Sequence, residues 1–285
     1  MAFNFDKAIK AASGKTGKNE LGAIVLAPSG GGKSFLCGTL GVKTLYLHTL
    51  GEDHGPIGAK TMGGDNVVAI CINYDDAGNL LAYETGEPDY DKIYANLLTI
   101  LRDGEGLHKA GFKAVAIDGV PELEETIRGS EQWAQKCKTA KGGHNTFAEG
   151  PAVNEMMRPI FNSLKDLQRN FGMHYVVTCV LDVQNMDDNG NIMASAPKLS
   201  TYSVAETVVR QFGDVLVVGR MSKGDVVKHK IQFMCGVSRS SKDATGIVKK
   251  SINFNPRLGG IPVSELPAIM DADLAKVLEL KGYGK

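Results

Sequence analysis

The chain is poor in several residue types that anchor whole functional classes. Of 285 residues only one is tryptophan and 7% are aromatic, so no evident platform of rings exists on which successive nucleic-acid bases could stack. The five cysteines, Cys37, Cys71, Cys137, Cys179 and Cys235, lie far apart without a Cys-x-x-Cys pair. That pattern fits reduced thiols rather than a disulfide framework. No run of about 18 uninterrupted apolar residues occurs, and the opening MAFNFDKAIKAASGK lacks the continuous apolar core of a secretory leader. An excess of charge of one sign is missing too, because 32 basic and 32 acidic residues cancel. Any attraction to nucleic acid must therefore come from local patches and not from a whole-protein field. The expectation is a soluble cytoplasmic protein with no membrane partner.

What is present is alternation. From Leu21 onward short apolar runs (GAIVLA, KTLYLHTL, NVVAICI, FKAVAID, MHYVVTCVL) alternate with helical periodicities, such as Ile93, Leu97, Ile100 and Leu101. Near-continuous apolar strands separated by helices predict an α/β fold with a mostly parallel central sheet flanked by helices. Past residue 200, DVLVVGRMS and DVVKHKIQFMCGV are joined by a short polar turn and predict an antiparallel edge hairpin. Val153, Met156, Met157, Ile160, Phe161, Leu164 and Leu167 keep helical spacing around Pro159, where a kink or break is expected. The organisation read from this is an N-terminal segment over residues 1–20, a core over 21–255 and a C-terminal appendage with a short helix over 256–285.

One motif is specific. In GAIVLAPSGGGKSFL an apolar strand runs into Ala27-Pro28-Ser29-Gly30-Gly31-Gly32-Lys33-Ser34, and an apolar helix follows at once. This is the context a phosphate loop requires: glycines turn backbone N–H groups inward, Lys33 adds a mobile cation and Ser34 offers a hydroxyl to Mg²⁺. The nucleotide-binding set is Pro28, Ser29, Gly30, Gly31, Gly32, Lys33, Ser34 and Phe35, with ATP and Mg²⁺ as cofactors. A second carboxylate for the metal comes from Asp118, which ends the apolar run FKAVAID. Gly119 follows it, so the Asp-Glu pair that many ATPases use to activate water is absent. Glu52, after the second strand, or Glu122, one turn into the next helix, must serve as base. His48, Glu52 and His54 could be drawn as a metal cluster, but no further ligand has matching spacing.

The strand HYVVTCVL is expected to end at Thr178 and Cys179, which makes Thr178 a candidate γ-phosphate sensor. A long polar loop with Gln184 at its start is expected from Asp182 to Ser200. Between Arg220 and Lys250 basic residues predominate. Arg239 and Lys242, in SRSSKDATG immediately after a strand, are candidates to reach the ATP of a neighbouring subunit and compensate charge as phosphate leaves.

This order of parts resembles the RecA-like ATPases, most closely the short single-domain members encoded by bacteriophages alongside single-strand annealing proteins. The resemblance covers residues 21–255. It rests on APSGGGKS, a glutamate after the second strand, VAIDG, a strand bearing Thr178, a polar loop and SRSSKD. It implies a Mg²⁺- and ATP-dependent protein of DNA recombination or repair that binds single-stranded DNA. It also implies a homo-oligomeric ring or filament, a single-strand annealing or single-strand binding protein as partner, and a place in the host cytoplasm. Phe5-Asp6-Lys7-Ala8 is similar to the Phe-x-x-Ala element by which such recombinases dock on one another. VTCVLDVQ lacks the histidine that many of these relatives carry after the threonine, and SRSSKD lacks their Lys-Asp-Arg run. Two other functions remain compatible with the residues. One is a small-molecule kinase whose lid would be Arg128 to His144 with Lys136, Lys138 and Lys141; the other is a nucleotide-gated binding module without turnover.

Overall fold

Runs rich in Val, Ile and Leu form strands where both faces can be covered, and here they do. The computed structural model of the protein describes residues 20–52, 54–186, 192–223, 226–233, 237–242 and 248–283, with side chains described outside 182–196, 202, 221–227 and 234–254. The Phe5 to Ala8 element lies outside the described residues. Among them the strands are, in chain order, β1 (Gly22–Ala27), β2 (Thr44–His48), β3 (Val67–Cys71), β4 (Ala114–Ile117), β5 (His174–Met186), β6 (Ile192–Pro197), β7 (Asp214–Lys223), β8 (Val226–Gln232), β9 (Val237–Lys242), β10 (Val248–Phe254) and β11 (Ile269–Asp271). The helices are α1 (Lys33–Gly38), α2 (Gly55–Gly63), α3 (Tyr90–Arg102), α4 (Gly104–Lys109), α5 (Val120–Gly129), α6 (Glu131–Lys136), α7 (Glu149–Phe171), α8 (Tyr202–Arg210) and α9 (Leu274–Leu280). None of the described helices is long and apolar enough to cross a membrane.

The main sheet has the order β11-β8-β7-β1-β5-β4-β2-β3, parallel from β3 through β7 and antiparallel at β8 and β11. This is the mostly parallel α/β sheet with an antiparallel edge that the alternation predicted. Side chains of successive strand residues point to opposite faces. Ile24, Leu26, Leu45, Leu47, Val115 and Ile117 therefore face one way, against α3, α5, α7 and α8. Ala23, Val25, Ala27, Tyr46, Ala114 and Ala116 face the other, against Leu36, Cys37 and Leu40 from the α1 segment and Leu274, Val277 and Leu278 of α9. The smaller side chains on the α1 side let that helix approach the sheet closely. Insertion of β5 between β1 and β4 pairs Thr178 with Val25 and Val177 with Ile117. The ends of three parallel strands thus meet at one edge, the position where open α/β sheets bind ligands.

Four expectations are corrected. β5 does not stop at Thr178 and Cys179; it runs to Met186 and pairs antiparallel with β6, with a register shift around Gln184. The stretch from 182 to 200 is therefore in good part a ladder, because its backbone N–H and C=O groups find partners across the hairpin. Helix α7 passes through Pro159 unbroken over 23 residues, held by the core packing of Met156, Met157, Ile160 and Phe161. Arg239 and Lys242 lie within strand β9, paired with β10, rather than immediately after a strand. Residues after 255 also do more than trail from the core: β11 extends the sheet, and α9 supplies core side chains.

The far end of the sheet is tied by a buried ion pair. Lys281 Nζ lies 2.9 and 2.8 Å from the two oxygens of Asp214, with side-chain exposures of 5% and 2%. Asp214 also accepts the N–H groups of Gly22 and Gly259, so it joins the starts of β1 and β7 to the C-terminal segment. Removing one partner of such a pair leaves an uncompensated buried charge and costs about 3–5 kcal/mol. Asp214→Ala is expected to lower stability by that amount in urea unfolding, and Asp214→Ala with Lys281→Met by clearly less. Equal losses in both would show that the pair is not what holds this end.

Candidate nucleotide-binding site

Between β1 and α1 the backbone takes the shape its glycines permit. Gly30 and Gly32 have φ of +69° and +83°, the left-handed region that side chains disfavour. Gly31 donates its N–H to the Pro28 carbonyl at 2.9 Å, and a Cβ there would lie 2.8 Å from that same oxygen. Pro28 and Ser29 form the outer wall of this loop, and Lys33 Nζ leans back on the Pro28 carbonyl at 3.4 Å. Phe35, one residue past Ser34, is 48% exposed and turns its ring toward Gly58 of α2. Its side chain thus faces the neighbouring helix and not the loop.

Asp118 draws the site together. Its buried carboxylate accepts the Ser34 hydroxyl at 2.7 Å, the Tyr46 hydroxyl and the Thr178 hydroxyl. Thr178 in turn accepts the Gly119 N–H at 2.9 Å. The Ser34 and Asp118 side chains expected to share a metal therefore meet across 84 residues of sequence. Thr178 is fully buried, and its hydroxyl is taken up by Asp118 and Gly119, which places it behind the carboxylate. Tyr46 was not foreseen. Burial, reinforced by the adjacent Asp118, holds its phenol well above the ordinary range, so it stays a proton donor. The signal was present in TLYLH: alternation puts Tyr46 on the α1 face, where an otherwise apolar strand carries a hydroxyl.

The two candidate bases, Glu52 and Glu122, turn out to be neighbours. Glu52 sits in a helical turn over Leu50–Glu52, positioned by the Asn73 side chain accepting the Leu50 N–H at 3.0 Å. Glu122 folds back over Gly119 at the start of α5, so close that a Cβ on Gly119 would meet its Oε2. Burial is the main cause that raises both carboxyl groups, with Asp118 adding to each. Glu52 is pushed up to about 7, with Glu122 also contributing and Lys33 opposing. Gly55 completes the wall: at the N-terminus of α2, ahead of Pro56, a Cβ would lie 2.4 Å from Asp118 Oδ2 and 2.6 Å from the Tyr46 hydroxyl.

Other sequence candidates lie apart from this cluster or outside what is described. The side chains of Gln184, Arg239 and Lys242 fall outside the described set. His48 turns its Nδ1 to the Thr49 carbonyl. In the stretch considered as a kinase lid, Arg128 pairs with Glu149 at 3.0 Å and lies over the Trp133 ring, while Lys136 pairs with Glu155. Those cations are engaged within their own neighbourhood.

No protein-family model matches the chain, and no curated protein does. Among solved structures, a KaiC-like protein of the hyperthermophilic archaeon Pyrococcus horikoshii OT3 is similar over 83% of each chain, with 11% identity and a TM-score of 0.41. A likeness at that distance says nothing about activity, which has to be argued from the residues themselves.

The raised Glu52 gives stability a pH dependence of definite sign. Its folded-state pKa of about 7 exceeds the ordinary 4.5, so its contribution to stability is present below about pH 4.5 and is lost as pH rises through about 7. Thermal melts of nucleotide-free protein are expected to show falling Tm across that window, and Glu52→Gln should flatten the fall. Parallel curves for the two proteins would refute the assignment.

Proposed function

We propose that the protein is a RecA-like ATPase that binds Mg²⁺ and ATP at the loop from Pro28 to Ser34. The observation that carries this reading is the convergence of Ser34 and Asp118, 2.7 Å apart, beside a glycine-shaped loop bearing Lys33. The donors fit the group: Mg²⁺ prefers hard oxygen ligands and keeps several waters, and Ser34 with Asp118 supplies two oxygens, 2.7 Å apart, beside the glycine loop. When bound, the metal would neutralise charge on the terminal phosphates. The chain's own work is then plain. Backbone N–H groups of the loop hold the phosphates, and Lys33 compensates the charge that moves onto the leaving oxygen. Glu52, beside Glu122, takes the proton of the attacking water as the bond from the γ-phosphorus to its bridging oxygen breaks, giving ADP and phosphate. Tyr46 and Thr178 keep Asp118 in place.

The finer reading is that nucleotide binding drives assembly on single-stranded DNA in recombination or repair, with Arg239 and Lys242 reaching across subunits. Its support is the local excess of basic residues between Arg220 and Lys250 and the resemblance stated above. Phosphate release is expected to rise with added oligonucleotide and to vanish in Lys33→Ala. DNA binding should weaken steeply with salt, because phosphate contacts release counterions. Release that ignores DNA would remove the DNA reading and leave the ATPase; calorimetry without any Mg·ATP heat would remove both. Gly55→Ala should weaken Mg·ATP binding by about tenfold or more, because its methyl must displace Asp118 or Tyr46. Wild-type affinity in this variant would mean that Asp118 is not part of the bound site.

A further inference from the structure

On β8 His229 and Ile231, with Phe233 one residue past the strand's end, point to one face, because side chains alternate along a strand. Ile231 and Phe233 join the core under α1. His229, at the same face and nearer the site edge, meets the phosphate loop. A Cβ on Gly32 would lie 2.9 Å from its Nδ1 and 3.1 Å from its Cγ. That nitrogen is buried and has no hydrogen-bond partner among the described residues. The backbone around it is paired on both sides: the His229 carbonyl accepts the Ala272 N–H at 3.1 Å, and His229 is opposite Arg220 in the β7 ladder. Buried polar atoms are nearly always satisfied, so an orphan at a site edge points to something that completes it. A phosphate oxygen of a nucleotide held by the loop at Gly32 would supply that partner.

We propose that His229 is a further phosphate-contacting residue, whose Nδ1–H donates to a phosphate oxygen of the nucleotide held at Gly32. The inference rests on the nucleotide-binding reading of the loop and deepens it: one wall of the site comes from the antiparallel edge. An imidazole donates from one nitrogen per neutral tautomer, and the proton on Nδ1 suits an anion. The edge strands β8 and β11 thereby feel whether phosphates are present.

Three variants separate a hydrogen bond from mere packing. His229→Phe keeps the ring without the N–H, His229→Asn keeps a short N–H donor, and His229→Ala removes both. Mg·ATP and Mg·ADP affinities by calorimetry should fall about tenfold in His229→Phe and His229→Ala and stay near wild type in His229→Asn. AMP affinity should be alike in all. On titrating the wild type with Mg·ADP, the ¹⁵N resonance of His229 Nδ1 should move, and AMP should leave it in place. Wild-type affinity in His229→Phe, or an unmoved resonance with Mg·ADP, overturns the proposal, since the N–H then has no part. Should His229→Ala fail to fold, the Phe and Asn variants carry the test. If the wild type binds no Mg·ATP, the nucleotide reading itself falls, an outcome distinct from a ring that binds without its N–H.

Discussion

A carboxylate removed from water needs hydrogen-bond donors, and Asp118 finds three of them on three different elements. Ser34 comes from α1, Tyr46 from β2 and Thr178 from β5. Each donor belongs to a part of the fold with its own packing, so the shared acceptor fixes their relative positions. The order of the sheet makes this possible. β5 lies between β1 and β4, which sets a threonine beside the loop strand and directly behind the aspartate. Gly119, with φ of +91°, then turns the chain sharply into α5 and brings Glu122 back toward the same point.

The electrostatics follow from that crowding. Asp118, Glu52 and Glu122 share a partly buried edge with Lys33, and desolvation together with like charge raises the two glutamates. Such a site is short of positive charge until a cation arrives. In the proposed reading a metal with a triphosphate would make up that deficit, and Glu52, pushed up to about 7, would serve as the base near neutral pH.

The helix after the loop is secured from the other end of the chain. Thr39, just beyond α1, accepts the Leu274 N–H on its hydroxyl and the Ala275 N–H on its carbonyl. Leu36, Cys37 and Leu40 pack with Leu274, Val277 and Leu278. The C-terminal segment and the antiparallel edge thus form one side of the phosphate loop's support. They are continuous with the parallel core rather than ornaments on it.

Much of the site was readable because its pieces are local. A strand, a glycine loop, a lysine and a helix are contiguous in GAIVLAPSGGGKSFL, and Asp118 ends an apolar run as a strand-end carboxylate should. Tyr46, Gly55 and His229 were not readable as site residues. Each sits in a segment that looks ordinary, and its role depends on a neighbour far along the chain, as with Tyr46 and Asp118 at a separation of 72 residues. The extension of β5 to Met186 was hidden for a related reason: polar residues in Asp182 to Met186 read as loop, yet their backbone is satisfied by β6. By itself the sequence determined the fold class, the loop and one acidic partner, since apolar period and glycine placement act over a few residues. Only the tertiary structure decided that Glu52 and Glu122 are neighbours, that Thr178 stands behind Asp118 and that the edge strand reaches Gly32. Those facts depend on strand order and register, which arise from long-range pairing that no local pattern encodes.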